Sequence, residues 1–150
     1  MKRITISVDD ELAKQFERWV AREGYENRSE AFRDLVRDKL GEARLLEGTA
    51  PNCVATVSYV YNHHERHLAG RLMDEQHRHH DLMLSAMHAH LDHDNCVETL
   101  ILRGPTERVT AFARSVIAEK GVRHGQINVV PVRIGKQGGK VKHEHVHPLT

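Results

Sequence analysis

The hydrophobic pattern opens with a strict alternation: Ile4, Ile6 and Val8 share one face, while Arg3, Thr5 and Ser7 share the other. Period two predicts a short strand over residues 2–8. Asp9-Asp10-Glu11 follows, supplying a helix cap and acidic charges suited to the first turn. Leu12, Phe16, Trp19 and Val20 then recur at helical spacing, and Gly24 is placed to end the helix with a left-handed residue. A second helix opens at Asn27-Arg28-Ser29-Glu30, where Asn27 and Glu30 have capping-box spacing. Its apolar face carries Ala31, Phe32, Leu35, Val36 and Leu40.

Glu47-Gly48-Thr49-Ala50-Pro51-Asn52 breaks the periodicity, so residues 46–52 read as a linker between domains at 1–45 and 53–133. Beyond it the pattern predicts a strand at 53–61, a helix at 65–80, strands at 82–91 and 96–102, a helix from Gly104-Pro105 to Gly121, and a strand at 127–132. The order βαββαβ is the ferredoxin-like split, here of the ACT type, and the whole chain is α+β. Residues 134–150, rich in Gly, Lys and His, read as a flexible tail.

Composition narrows the picture only a little. The 150 residues are 39% hydrophobic and 29% charged with a formal net charge of +1, so bulk charge does not point to nucleic acid. No apolar run is long enough to span a bilayer, and a cytoplasmic protein is expected. Two cysteines, Cys53 and Cys96, are too few for a disulfide framework. Thirteen histidines are the unusual number.

One strand with two short helices cannot hide its sheet edge or bury much apolar surface alone. Pairing with the same strand of a second copy solves both problems, and the ribbon so formed shows Arg3, Thr5 and Ser7 twice on its outer face. Such a ribbon fits the DNA major groove, where Arg bonds guanine and Thr or Ser bond several base edges. The free N–H groups at Asn27, Arg28 and Ser29 suit a phosphate. Residues 2–43 resemble the ribbon-helix-helix family of dimeric DNA-binding proteins. That resemblance implies base reading by Arg3, Thr5 and Ser7 and backbone clamping at Asn27, Arg28 and Ser29.

The histidine spacing points to metal. His88 and His90 lie two apart on a predicted strand and leave the same face, and Cys96 opens the next strand within reach. Two imidazoles and a thiolate are strong ligands for a borderline metal ion. A fourth ligand is expected from His77, His79 or His80 at the end of the preceding helix. Spacing alone leaves that choice open.

The strings Ser58-Tyr59-Val60-Tyr61, Gln76-His77, His79-His80-Asp81, His88-Ala89-His90, Cys96 and Gly121-Val122-Arg123-His124-Gly125 resemble the nickel-responsive ribbon-helix-helix repressors, the NikR family. The resemblance covers residues 2 to about 132. It implies Ni(II) held by His88, His90 and Cys96 of one subunit and His77 of a neighbour in a square-planar site. It also implies a homotetramer bound to a palindromic operator in double-stranded DNA, repressing nickel-uptake genes. Glu30 and Asp34 match acidic positions that hold a cation in relatives. Arg66 matches a residue that meets the DNA backbone, but Glu65 stands where a second basic residue is found. Cys53 and the tail histidines have no counterpart in the resemblance.

Three other readings compete. A cobalt, zinc or copper sensor on the same scaffold differs only in the metal. A ribbon-helix-helix antitoxin lacks a second folded domain. A metalloenzyme needs a general base and an open metal position, and the pattern offers neither.

Overall fold

A computed structural model describes residues 4–46, 48–136 and 144–149. The chain divides into two compact units, Met1–Glu42 and Ala43–Thr150.

The first unit holds α1 (Asp10–Arg22) and α2 (Arg28–Leu46), which continues past it. Both caps form as the sequence predicts. The Asp9 carboxylate accepts from the Leu12 N–H at 2.9 Å, and the Asn27 side-chain oxygen accepts from the Glu30 N–H at 2.9 Å. Gly24 takes a φ of 77°, the left-handed conformation that ends α1. Phe16, Trp19 and Tyr25 form a small aromatic stack, with centroid spacings of 5.8 and 5.4 Å.

From Ile4 to Asp9 the single chain has no regular structure, and Lys2 and Arg3 of the expected strand lie outside the described residues. A strand acquires its hydrogen bonds from a neighbour, and one chain offers this segment none. Ile4, Ile6, Val8 and Leu12 are accordingly exposed.

The second unit contains β1 (Asn52–Asn62), α3 (Leu68–Arg78), β2 (Met83–His90), β3 (Asn95–Pro105), α4 (Thr106–Ile117), β4 (Arg123–Lys136) and β5 (Glu144–Pro148). The sheet order is β2-β3-β1-β4-β5, antiparallel throughout. Its first four strands are the ferredoxin-like split that the pattern predicts. Helix α3 is shorter than the expected 65–80 because His67, at φ 65°, turns the chain immediately before it.

Two connecting segments carry contacts that their composition does not announce. Of residues 134–150, expected as a tail, 137–143 and 150 lie outside the described residues. β4 runs on to Lys136 and pairs with β5 from Val132↔Pro148 to Lys136↔Glu144. Ile134 and its cross-strand partner Val146 are partly buried, a pairing that composition alone concealed. The segment expected as a linker is fastened to the start of α4. The Thr106 hydroxyl donates to the Ala50 carbonyl at 2.6 Å, and its N–H donates to Pro51 at 2.9 Å.

One face of the sheet carries the core. Cys53, Ala55, Val57, Tyr59 and Tyr61 of β1 alternate inward, as do Cys96, Leu100 and Leu102 of β3. Leu68 and Leu72 of α3 and Val109, Phe112, Ala113 and Val116 of α4 close over them. Each buried Leu or Phe side chain contributes about 1.5–3 kcal/mol relative to exposure. On the opposite face Met87 and Val130 stand exposed.

Candidate metal centre and DNA-facing segment

The β2–β3 hairpin builds the centre. Its turn is held by Asp92, whose carboxylate accepts from the N–H groups of Asp94 at 2.8 Å and Asn95 at 2.7 Å. Those bonds, with the Asn95 side chain first among them, hold the Asp92 carboxyl below its ordinary range. The turn sets the register His90↔Cys96 and His88↔Glu98. His90 Nδ1 therefore lies 3.3 Å from Cys96 Sγ.

A third donor completes the group. His63, just beyond β1, brings Nδ1 within 3.2 Å of the same sulfur. Its N–H donates to the Asp94 carbonyl at 3.0 Å, which ties this end of β1 to the hairpin. The ligand atoms of His63, His90 and Cys96 lie within 4.8 Å of one another, the one group of three such donors among the described residues. Cys96 is 0% exposed. Burial, and then the charges of Asp92 and Glu98, push its thiol up, so it keeps its proton until a cation displaces it.

His88 stands beside the group without joining it. Its ring is 5.0 Å from that of His90, and its Nδ1 meets the Tyr61 hydroxyl at 3.4 Å. A buried polar network lies behind. Gln76 of α3 donates to Glu98 at 2.7 Å and approaches the Tyr59 hydroxyl at 3.3 Å. Burial, followed by the Glu98 charge, pushes Tyr61 up to about 12. Tyr59 is raised further for the same reasons. Both phenols are therefore neutral donors over the physiological range.

Of the four expected ligands, the single chain brings His90 and Cys96 together and sets His88 alongside. His77 is exposed in the last turn of α3 and does not join them. His79 is turned away, stacked on Phe112 at 4.3 Å, and His80 is exposed. The sequence reading missed His63. Strand parity carried the signal: residue 63 continues the face of Tyr61, and Tyr61 pairs with Cys96.

In the N-terminal unit Thr5 and Ser7 are exposed ahead of α1, and Arg3 lies outside the described residues. Asn27 spends its side chain as the α2 cap, and the Arg28 guanidinium pairs with Glu17. Ser29 is exposed in the first turn of α2. Asp34 pairs with Arg37 at 3.0 Å, and the Tyr25 hydroxyl lies beside it. No helix among the described residues is long and apolar enough to cross a membrane.

Comparison with known proteins adds the identity of the two modules. Residues 2–43 match the family described as ribbon-helix-helix protein, copG family, and residues 54–130 match the NikR C terminal nickel binding domain. Proteins named nickel-responsive regulator from Brucella abortus and Brucella suis are each 46% identical over 132 residues, covering 88% of this chain and 100% of theirs. A relative from Bradyrhizobium diazoefficiens is 44% identical over 147 residues, covering 98% of this chain and 99% of its own. A solved structure of an uncharacterised protein from Thermotoga maritima covers 55% of this chain and 99% of its own at 14% identity. Its TM-score of 0.45 is too loose to bear on function.

A DNA-binding ribbon-helix-helix module joined to a nickel-binding domain defines a metal-responsive transcription regulator, not an enzyme. The chain belongs to the nickel-responsive regulator family.

Proposed function

We propose that this chain is a repressor that grips a palindromic operator when nickel is bound, acting in the cytoplasm on genes for nickel uptake. The observation that carries the reading is His90 opposite Cys96 across one hairpin, 3.3 Å apart, in a chain that also bears a ribbon-helix-helix module. The donor set suits the ion: neutral imidazoles and a thiolate favour late first-row metals over magnesium or calcium. In this reading His88, His90 and Cys96 hold Ni(II) from one subunit and His77 holds it from a second copy. Bound nickel would supply a link between subunits.

The remaining roles fall to the chain itself. Tyr61 steadies the His88 imidazole, and Gln76 ties α3 to the buried Glu98 beneath it. The exposed sheet face around Met87 and Val130 supports association into a homotetramer. The exposed Ile4, Ile6, Val8 and Leu12 support pairing of two N-terminal segments into a ribbon. Arg3, Thr5 and Ser7 would then read bases, and the α2 start at Asn27, Arg28 and Ser29 would meet phosphate. The Glu30–Asp34 cation site would require Asp34 to exchange Arg37 for the cation.

One observation favours a second reading. His63, His90 and Cys96 form a three-donor set within one chain, which with water suits tetrahedral zinc or cobalt. A Ni(II) titration followed by visible absorption and by binding to a palindromic DNA fragment separates the two. Square-planar nickel–thiolate absorption, tighter DNA binding, and loss of both in Cys96→Ala and His77→Ala support the first. Survival of nickel binding in His77→Ala with its loss in His63→Ala supports the second. Nickel binding that leaves DNA affinity unchanged sinks nickel-responsive repression.

A further inference from the structure

The chain carries a strand-borne His-x-His twice. His88 and His90 lie on β2, one edge of the sheet, while His145 and His147 lie on β5, the other edge. Four strand spacings separate the edges, roughly 19 Å, so the two pairs cannot share an ion. The two pairs differ in geometry: the rings on β2 lie 5.0 Å apart and edge-on at 80°, while those on β5 lie 6.0 Å apart and near-parallel at 25°.

β5 is held firmly enough to present them. Five register pairs join it to β4, the Leu149 N–H donates to Pro131 at 3.0 Å, and Glu144 reaches Arg103 of β3 at 3.3 Å. Two residues apart on a strand, the imidazoles leave the same face. Across from them lie Gly135, opposite His145, and Arg133, opposite His147. A Cβ at Gly135 would stand 3.5 Å from the His147 ring, so that ring fills the space the glycine leaves open, beside His145.

We propose that His145 and His147 form a second, weaker site for a divalent transition-metal ion of the nickel, copper or zinc type. Neutral imidazole is a good ligand for these ions and a poor one for magnesium or calcium. The site lacks the thiolate that Cys96 gives the first group, and Arg133 places a positive charge nearby. Water would complete the coordination, and the ion would bind after the first site has filled. The assignment does not depend on which metal the Cys96 group senses, nor on repression.

The test uses the full-length chain with Ni(II) as probe. In a His88→Ala/Cys96→Ala background, calorimetry should still find one ion bound per chain. That binding should be lost on adding His145→Gln/His147→Gln. In the otherwise unaltered protein His145→Gln/His147→Gln should leave the first ion and the circular dichroism spectrum unchanged while removing the weaker one. Paramagnetic broadening in the unsubstituted protein gives a readout independent of any folding defect. Weak-site Ni(II) should broaden the amides of Gly135 and Val146. Weak binding that survives the double substitution, or broadening centred elsewhere, overturns the proposal.

Discussion

The two units of this chain use hydrophobic residues in opposite ways. Among the described residues of Met1–Glu42 the buried hydrophobic ones are Val20 and Ala31, while Leu12 is 51% exposed and Leu35, Val36 and Leu40 also face water. In Ala43–Thr150 a continuous cluster from Cys53 to Val116 is sealed beneath α3 and α4. One unit seals its apolar side chains; the other leaves most of the apolar face of its two helices exposed. Amphipathic periodicity reports which face seeks burial and is silent on what covers it.

The sharpest way to break the comparison is in the sealed core. Leu102→Ala should cost about 2–5 kcal/mol in urea unfolding, because its 0% exposed side chain leaves a cavity between sheet and helix. A cost below ~1 kcal/mol would mean that the core collapses around the loss. Leu12→Ala is the matching change in the other unit. If a second copy covers Leu12, the loss should be about 1.5–3 kcal/mol, and the unfolding midpoint should rise with protein concentration. A near-neutral, concentration-independent result would make the N-terminal unit self-sufficient. Gln76→Ala should cost about 1–3 kcal/mol by leaving buried Glu98 one donor short, with Gln76→Glu no better a replacement. Asp9→Ala, which removes the α1 cap, should cost about 1 kcal/mol and be visible in helical circular dichroism.

The same contrast explains how much was legible in the sequence. Both caps, the Gly24 stop and the βαββαβ order are local features, and periodicity displayed them. The pairing of His90 with Cys96 was legible because a short hairpin leaves few possible registers. His63 was not seen, since its place depends on β1 lying beside β3, a pairing between segments more than thirty positions apart in the chain. β5 was missed because Glu144-His145-Val146-His147-Pro148, with a single β-branched residue, lacks the composition of a strand. The ribbon strand was read from alternation, and its pairing with a second copy stays a proposal.

The central position of β1 has a consequence for synthesis on the ribosome. Its neighbours β3 and β4 both lie downstream, and β4 begins about sixty residues after β1 ends. At about 5–20 residues per second the nascent chain waits roughly 3–12 s before that second edge is covered. During that interval a stretch of Val, Ala and Tyr is open to stray β-pairing. The polar Ser58 and Asn62 on its other face lower the strand's tendency to such pairing until Arg123–Lys136 emerges.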